Sequence, residues 1–92
     1  MDTQNAILVA KGESVAIMPG EKVVVGAKQL RKALNRGDAK RVYLAQNADP
    51  AITDPLAKLC KENRITCTWV KSMTDLGQAC GIEVGAAAAA II

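Results

Sequence analysis

Lys28, Arg31 and Lys32 crowd one short stretch of the chain, and the chemistry open to them is the holding of anions. They follow Gly26 closely and, with Asn35, take one face of a helical pattern. Leu30, Ala33 and Leu34, spaced i, i+3 and i+4, take the other. A helix that begins straight after Gly26 leaves its first backbone N–H groups without intrahelical partners. Those groups and the helix dipole favour negative charge. The cationic side chains beside them push the same way.

The wider charge distribution agrees. Residues 22–41 hold seven lysines and arginines (Lys22, Lys28, Arg31, Lys32, Arg36, Lys40 and Arg41) against one acid, Asp38. The other residues hold five bases and eight acids, so the net charge of +3 conceals a strongly basic segment in a mildly acidic chain. A patch of this kind gathers a polyanion on one face. A lysine-rich helix is also what an ordinary solvated surface presents. Position favours the binding reading: the bases open a helix after a glycine, with Lys40 and Arg41 expected as a second cluster beside them.

Other chemistries lack their parts. Gly26-Ala27-Lys28 is no phosphate loop of the Walker type, because the long glycine-rich run and the Gly-Lys-Ser/Thr are missing. There is no histidine, and no nucleophile stands with a recognisable base, which argues against an enzyme. Asp49 and Asp54 each neighbour a proline and read as turn or capping residues. Cys60, Cys67 and Cys80 are odd in number, widely spaced and free of a Cys-x-x-Cys, so reduced buried thiols in a cytosolic protein are expected, with neither metal nor cofactor. Asp2, Lys11 and Glu13 break up the first apolar residues, so no signal peptide is expected. The apolar run Ala86 to Ile92 is too short to span a membrane.

The elements that must carry the basic stretch can be read from the same pattern. Ninety-two residues make one domain. Its core must be aliphatic, since Tyr43 and Trp69 are the only aromatics, and that weakens models built on aromatic stacking of bases. Lys22–Val25 reads as a strand, Ala27–Arg36 as a helix stopped by Gly37-Asp38, and Arg41–Ala45 as a second strand. Gln46 to Pro50 reads as a loop, with Asp54-Pro55 opening a second helix that ends at Asn63. Ile65–Val70 is a third strand, and Ser72-Met73-Thr74-Asp75 opens a third helix with Met73, Leu76 and Cys80 inward and a stop at Gly81. The terminal alanine run reads as a strand whose small side chains let helices pack closely. Strands alternate with helices, which predicts an α/β fold, an α/β/α sandwich. Residues 1–21 form an N-terminal extension, read as a small hairpin ending in the Pro19-Gly20 turn, with a short helix as the alternative.

Gly81-Ile82-Glu83-Val84-Gly85 is the second stretch to weigh. Burial in the core is the plain reading for Ile82 and Val84. An apolar contact to something docked on the loop is the functional one.

In combination these residues resemble a known family. Gly26-Ala27-Lys28-Gln29, then Lys32-Ala33-Leu34 and Arg36-Gly37, are similar to the signature of the kink-turn RNA-binding ribosomal proteins, the L-seven-Ae and L-thirty-e group, in its small bacterial branch. Ala48-Asp49-Pro50 and the run from Leu76 to Ala87 fit the same pattern, so the resemblance covers residues 22–92.

The resemblance implies a three-layer α/β/α sandwich with a mixed four-stranded sheet. It implies a ribosome-associated protein that binds a kink-turn, an RNA bent at a bulge beside tandem sheared G·A pairs. Gly26, Ala27, Lys28 and Gln29 would then meet the G·A pairs, with Arg31, Lys32 and Arg36 on the same basic helix. Ile82, Glu83 and Val84 would pack against the bulged nucleotide. The implied partners are structured RNA, ribosomal RNA among the candidates, and neighbouring ribosomal proteins. The implied state is a cytoplasmic monomer with no membrane attachment and no cofactor. Many relatives carry asparagine-glutamate where this chain has Lys28-Gln29, and glutamine both donates and accepts hydrogen bonds where glutamate only accepts. The rival reading is a protein-interaction module whose basic face meets an acidic partner.

Overall fold

Strands and helices alternate along the computed structural model, which describes residues 17, 18 and 20–92. The hairpin expected in residues 1–21 lies almost wholly outside the described residues. The elements are β1 (Val23–Val25), α1 (Ala27–Arg36), β2 (Arg41–Ala45), α2 (Pro50–Glu62), β3 (Thr66–Val70), α3 (Met73–Ala79) and β4 (Ala88–Ile91). The strands form one mixed sheet in the order β1-β4-β2-β3. β4 runs antiparallel to both its neighbours, and β2 and β3 run parallel.

Side-chain alternation along the strands divides the core in two. Val42, Leu44, Ala88 and Ala90 face one way and join Leu30, Ala33 and Leu34 of α1 and Leu56 and Cys60 of α2. Tyr43, Ala45, Val70, Ala89 and Ile91 face the other way and join Leu76 of α3, with Met73, Cys80, Ile82 and Ile17 packed at the margin. The sheet is therefore covered on both faces, as the α/β/α sandwich requires. Ala88, Ala89 and Ala90 are all fully buried in the strand between β1 and β2. Bulkier residues there would hold the two helical layers apart.

The helix ends follow from local chemistry. Gly37 closes α1 in the left-handed conformation (φ 77°), and the Asp38 N–H donates to the Ala33 carbonyl at 2.9 Å. Ser72 Oγ caps α3 by accepting from the Asp75 N–H at 3.1 Å. The opening of α2 differs from the expectation of a start at Asp54-Pro55. Asp49 is the cap, its carboxylate accepting from the Ala51 N–H at 2.9 Å, and Pro50 takes the first helical position. Two Asp-Pro pairs offer the same start signal, and the earlier one wins because Thr53 and Leu56 then both point into the core. Pro55 is left inside the helix on its exposed side.

The cysteines are free thiols. Burial pushes all three above the usual thiol range, and Cys67, with the Cys60 thiol beside it, is pushed up to about 12. They are poor nucleophiles at neutral pH.

Candidate nucleic-acid interface

The topology gathers one end of the sheet. The C-terminal ends of β1, β2 and β3 and the N-terminal end of β4 lie together, as the pairs Val25–Ala89, Leu44–Ala88 and Ala45–Val70 require. The connections leaving this end are Gly26, the loop 46–49, the link 71–72 and the loop 80–87. Ligands of open α/β sheets bind outside such strand ends.

At Gly26 the chain turns directly from strand into helix. Its backbone stands at φ 105° and ψ 149°, a region essentially confined to glycine. A Cβ at this position would meet nothing within 4 Å, so the residue is needed for its backbone angles and fronts open space. Gly26, at the N-cap position of α1, has no side chain to cap it. The first N–H groups of the helix therefore lack a cap from the N-cap side chain. Ala27 is half-buried against the core, while Lys28, Gln29, Arg31, Lys32 and Arg36 are exposed. Lys28, Lys32 and Arg36 follow at intervals of four and form a ridge along the helix. There is no acid in α1 to neutralise it.

The ridge leads away from the helix opening. Arg36 lies in the last turn, about 12 Å along the axis from Lys28. Lys40 and Arg41 do not form the expected second cluster beside the helix start. Arg41 begins β2 and Lys40 precedes it, at the opposite end of the sheet, and α1 separates them from Gly26. Arg41 is also engaged: its Nη2 donates to both Glu21 carboxylate oxygens at 2.8 Å, and its Nε donates to the Tyr43 hydroxyl at 3.2 Å.

The loop after α3 divides its two apolar residues. Ile82 is half-buried against the second core cluster. Glu83 is exposed, and Val84 is 70% exposed, an unusual position for an aliphatic side chain. Burial thus holds for Ile82 and fails for Val84. The loop runs into β4 beside the start of α1, where the Gly26 N–H donates to the carbonyl of Ala88, the first residue of that strand, at 2.8 Å. Asn47 Oδ1 accepts from the Met73 N–H at 2.8 Å and ties the loop after β2 to the opening of α3.

Gly77 is buried in the middle of α3, within the Leu76–Ala87 run. A Cβ there would collide with the Val84 carbonyl oxygen. The signal was a glycine in a helix interior, where alanine is preferred.

Residues 10–92 match the model of the Ribosomal protein L7Ae/L30e/S12e/Gadd45 family. The chain belongs to this family. Among relatives of known sequence, an RNA-binding protein of Bacillus pumilus is 45% identical over 76 residues, covering 83% of this chain and 93% of its own length. An RNA-binding protein of Geobacillus is 47% identical over the same coverage. Among solved structures, the Giardia lamblia 15.5 kD RNA binding protein superposes with a TM-score of 0.71 at 33% identity. That superposition covers 75% of this chain and 58% of the Giardia chain, so the present sequence spans little more than half of that protein. A Bacillus halodurans protein of unknown function shares the fold over 91% of this chain and 76% of its own, with a TM-score of 0.69 and 21% identity.

Proposed function

We propose that this protein of the L7Ae/L30e family binds kink-turn RNA. The opening of α1 takes the tandem sheared G·A pairs, and the Ile82–Val84 loop takes the bulged nucleotide. The observation that carries this reading is that the basic helix opens and the exposed apolar loop closes at the same end of the sheet, where the Gly26 N–H donates at 2.8 Å to Ala88, the first residue of the strand that follows the loop. The uncapped helix start, the open space at Gly26 and the RNA-binding relatives support it.

In this mechanism Gly26 and Ala27 let the RNA approach the backbone closely. Lys28 and Gln29 meet guanine edges and the crowded phosphates at the bend, while Arg31, Lys32 and Arg36 follow the backbone. Ile82, Glu83 and Val84 hold the extruded base, whose unstacked face accepts an apolar contact. Free RNA samples bent and extended forms, and the protein draws it to the bent one because only that form meets both surfaces at once. The setting that follows is ribosome-associated, with the protein acting as a cytoplasmic monomer on ribosomal or similarly structured RNA.

The test is a titration against a kink-turn RNA and against the same RNA with its G·A pairs replaced by Watson–Crick pairs, at two salt concentrations. Tight binding of the kink-turn alone is expected. Equal binding of both with a steep salt dependence would reduce the basic face to a general phosphate contact. Binding of neither would redirect it to an acidic protein partner.

A further inference from the structure

We infer that Gly77 is a positioning residue for the bulged base, fixing the loop that presents Val84. The inference rests on the kink-turn reading. Gly77 is buried within α3, where alanine would make the better helix. The reason for glycine lies outside the helix. A Cβ here would run into the carbonyl oxygen of Val84 and stand 3.1 Å from its carbonyl carbon and 3.2 Å from Gly85 Cα. All three are backbone atoms and cannot swing aside as a side chain would. Gly85 meets the helix in turn: a Cβ on it would stand 3.0 Å from Met73 Cβ and 3.3 Å from the Met73 carbonyl carbon.

Two hydrogen bonds complete the attachment. The Ile82 N–H donates to the Gly77 carbonyl and the Ala86 N–H to the Met73 carbonyl, each at 3.0 Å. The loop therefore lies flat on α3, strapped at both ends, with glycine on each side of the contact. Ile82 anchors it in the core while Val84 stands outward. A loop held this way is ordered before it meets a ligand, so little freedom remains to be lost on binding. Nothing in the packing of the described residues requires an aliphatic side chain at the exposed position. Rigid presentation of Val84 to an unstacked base gives the arrangement a use.

A purely structural role would affect every RNA alike, so the bulged base must be the variable. Gly77→Ala and Gly85→Ala are each titrated against an intact kink-turn and one whose bulged nucleotide is abasic, with thermal denaturation and amide exchange at Ile82 and Ala86 followed in parallel. Gly77→Ala is expected to stay folded, to exchange faster at Ile82, and to lose about tenfold on the intact RNA, the scale of one base contact. On the abasic RNA it is expected to match the wild type. Gly85→Ala meets Met73 less closely than Gly77→Ala meets Val84 and should give the same pattern more weakly; it carries the readout if Gly77→Ala does not fold. Equal losses on both RNAs, or no loss by a folded variant, would overturn the positioning role alone. A wild type with no preference for the kink-turn over its Watson–Crick control would overturn the parent reading and this inference with it.

Discussion

Lys32 stands between Lys28 and Arg36 at intervals of four on α1, and each neighbour is a like charge. Such pairs work against helix stability by about 0.2–0.5 kcal/mol apiece. The chain keeps a repulsive ridge on the helix that opens the candidate interface, which is where binding and stability compete. Substitution should separate the two. Lys32→Ala is expected to weaken RNA binding and to lower the slope of log affinity against log salt by about 1, the mark of one lost phosphate contact; an unchanged slope would take Lys32 off the backbone. Lys32→Glu should weaken binding further while raising stability in urea by about 0.8–2 kcal/mol, because it turns two repulsions into attractions. Glu21 is the matching case among the acids. The Met18 N–H, at 2.9 Å, and then the Arg41 guanidinium hold its carboxyl below the usual glutamate range. A carboxylate with a lowered pKa contributes stability that is fully present above the ordinary value and lost as pH falls through the lowered one. Urea midpoints followed below about pH 5 should therefore fall more steeply for the wild type than for Glu21→Gln.

Among the elements, α2 is the most open to improvement. Pro55 denies the helix a hydrogen bond to the Ala51 carbonyl, yet its side chain is exposed and packs into no core. Pro55→Ala should stabilise the protein by about 1–3 kcal/mol in chemical denaturation, less what the proline gains by stiffening the unfolded chain. The same residue marks how far the elements were legible in sequence. Asp54-Pro55 carries a proper start signal, and so does Asp49-Pro50. Only packing against the sheet decides between them, and a local signal cannot report it. The other boundaries were readable because their causes are local: Gly37 in the left-handed region, Ser72 as a cap, Asn63 at the end of α2. The candidate site divides along the same line. Gly26 and the basic face announce themselves by type and spacing. The remoteness of Lys40 and Arg41 depends on which end of the sheet each strand reaches. The contact of Gly77 with Val84 depends on a loop folding back onto its own helix, and no spacing rule encodes that.

The molecule as a whole is built on a thin centre. β4 lies between β1 and β2, and its alanines leave room for helices on both faces. Ala90→Leu should cost about 1–3 kcal/mol by overpacking the side shared with α1 and α2, read as a lower thermal midpoint with the same fold. β4 is also the last element in chain order, although it holds the middle of the sheet. Among the described strands β1 pairs only with β4, and Gly26 donates its N–H to the residue that opens it. Vectorial synthesis thus delivers the basic helix well before the strand that fixes its start. While the chain is still emerging, β2 and β3 can pair with α2 across them, but β1 lacks its partner among the described strands and the apolar loop has no strand to anchor it beside α1. The two halves of the candidate interface meet only once β4 lies between its neighbours, so on the proposed kink-turn reading a nascent chain is basic long before it is selective.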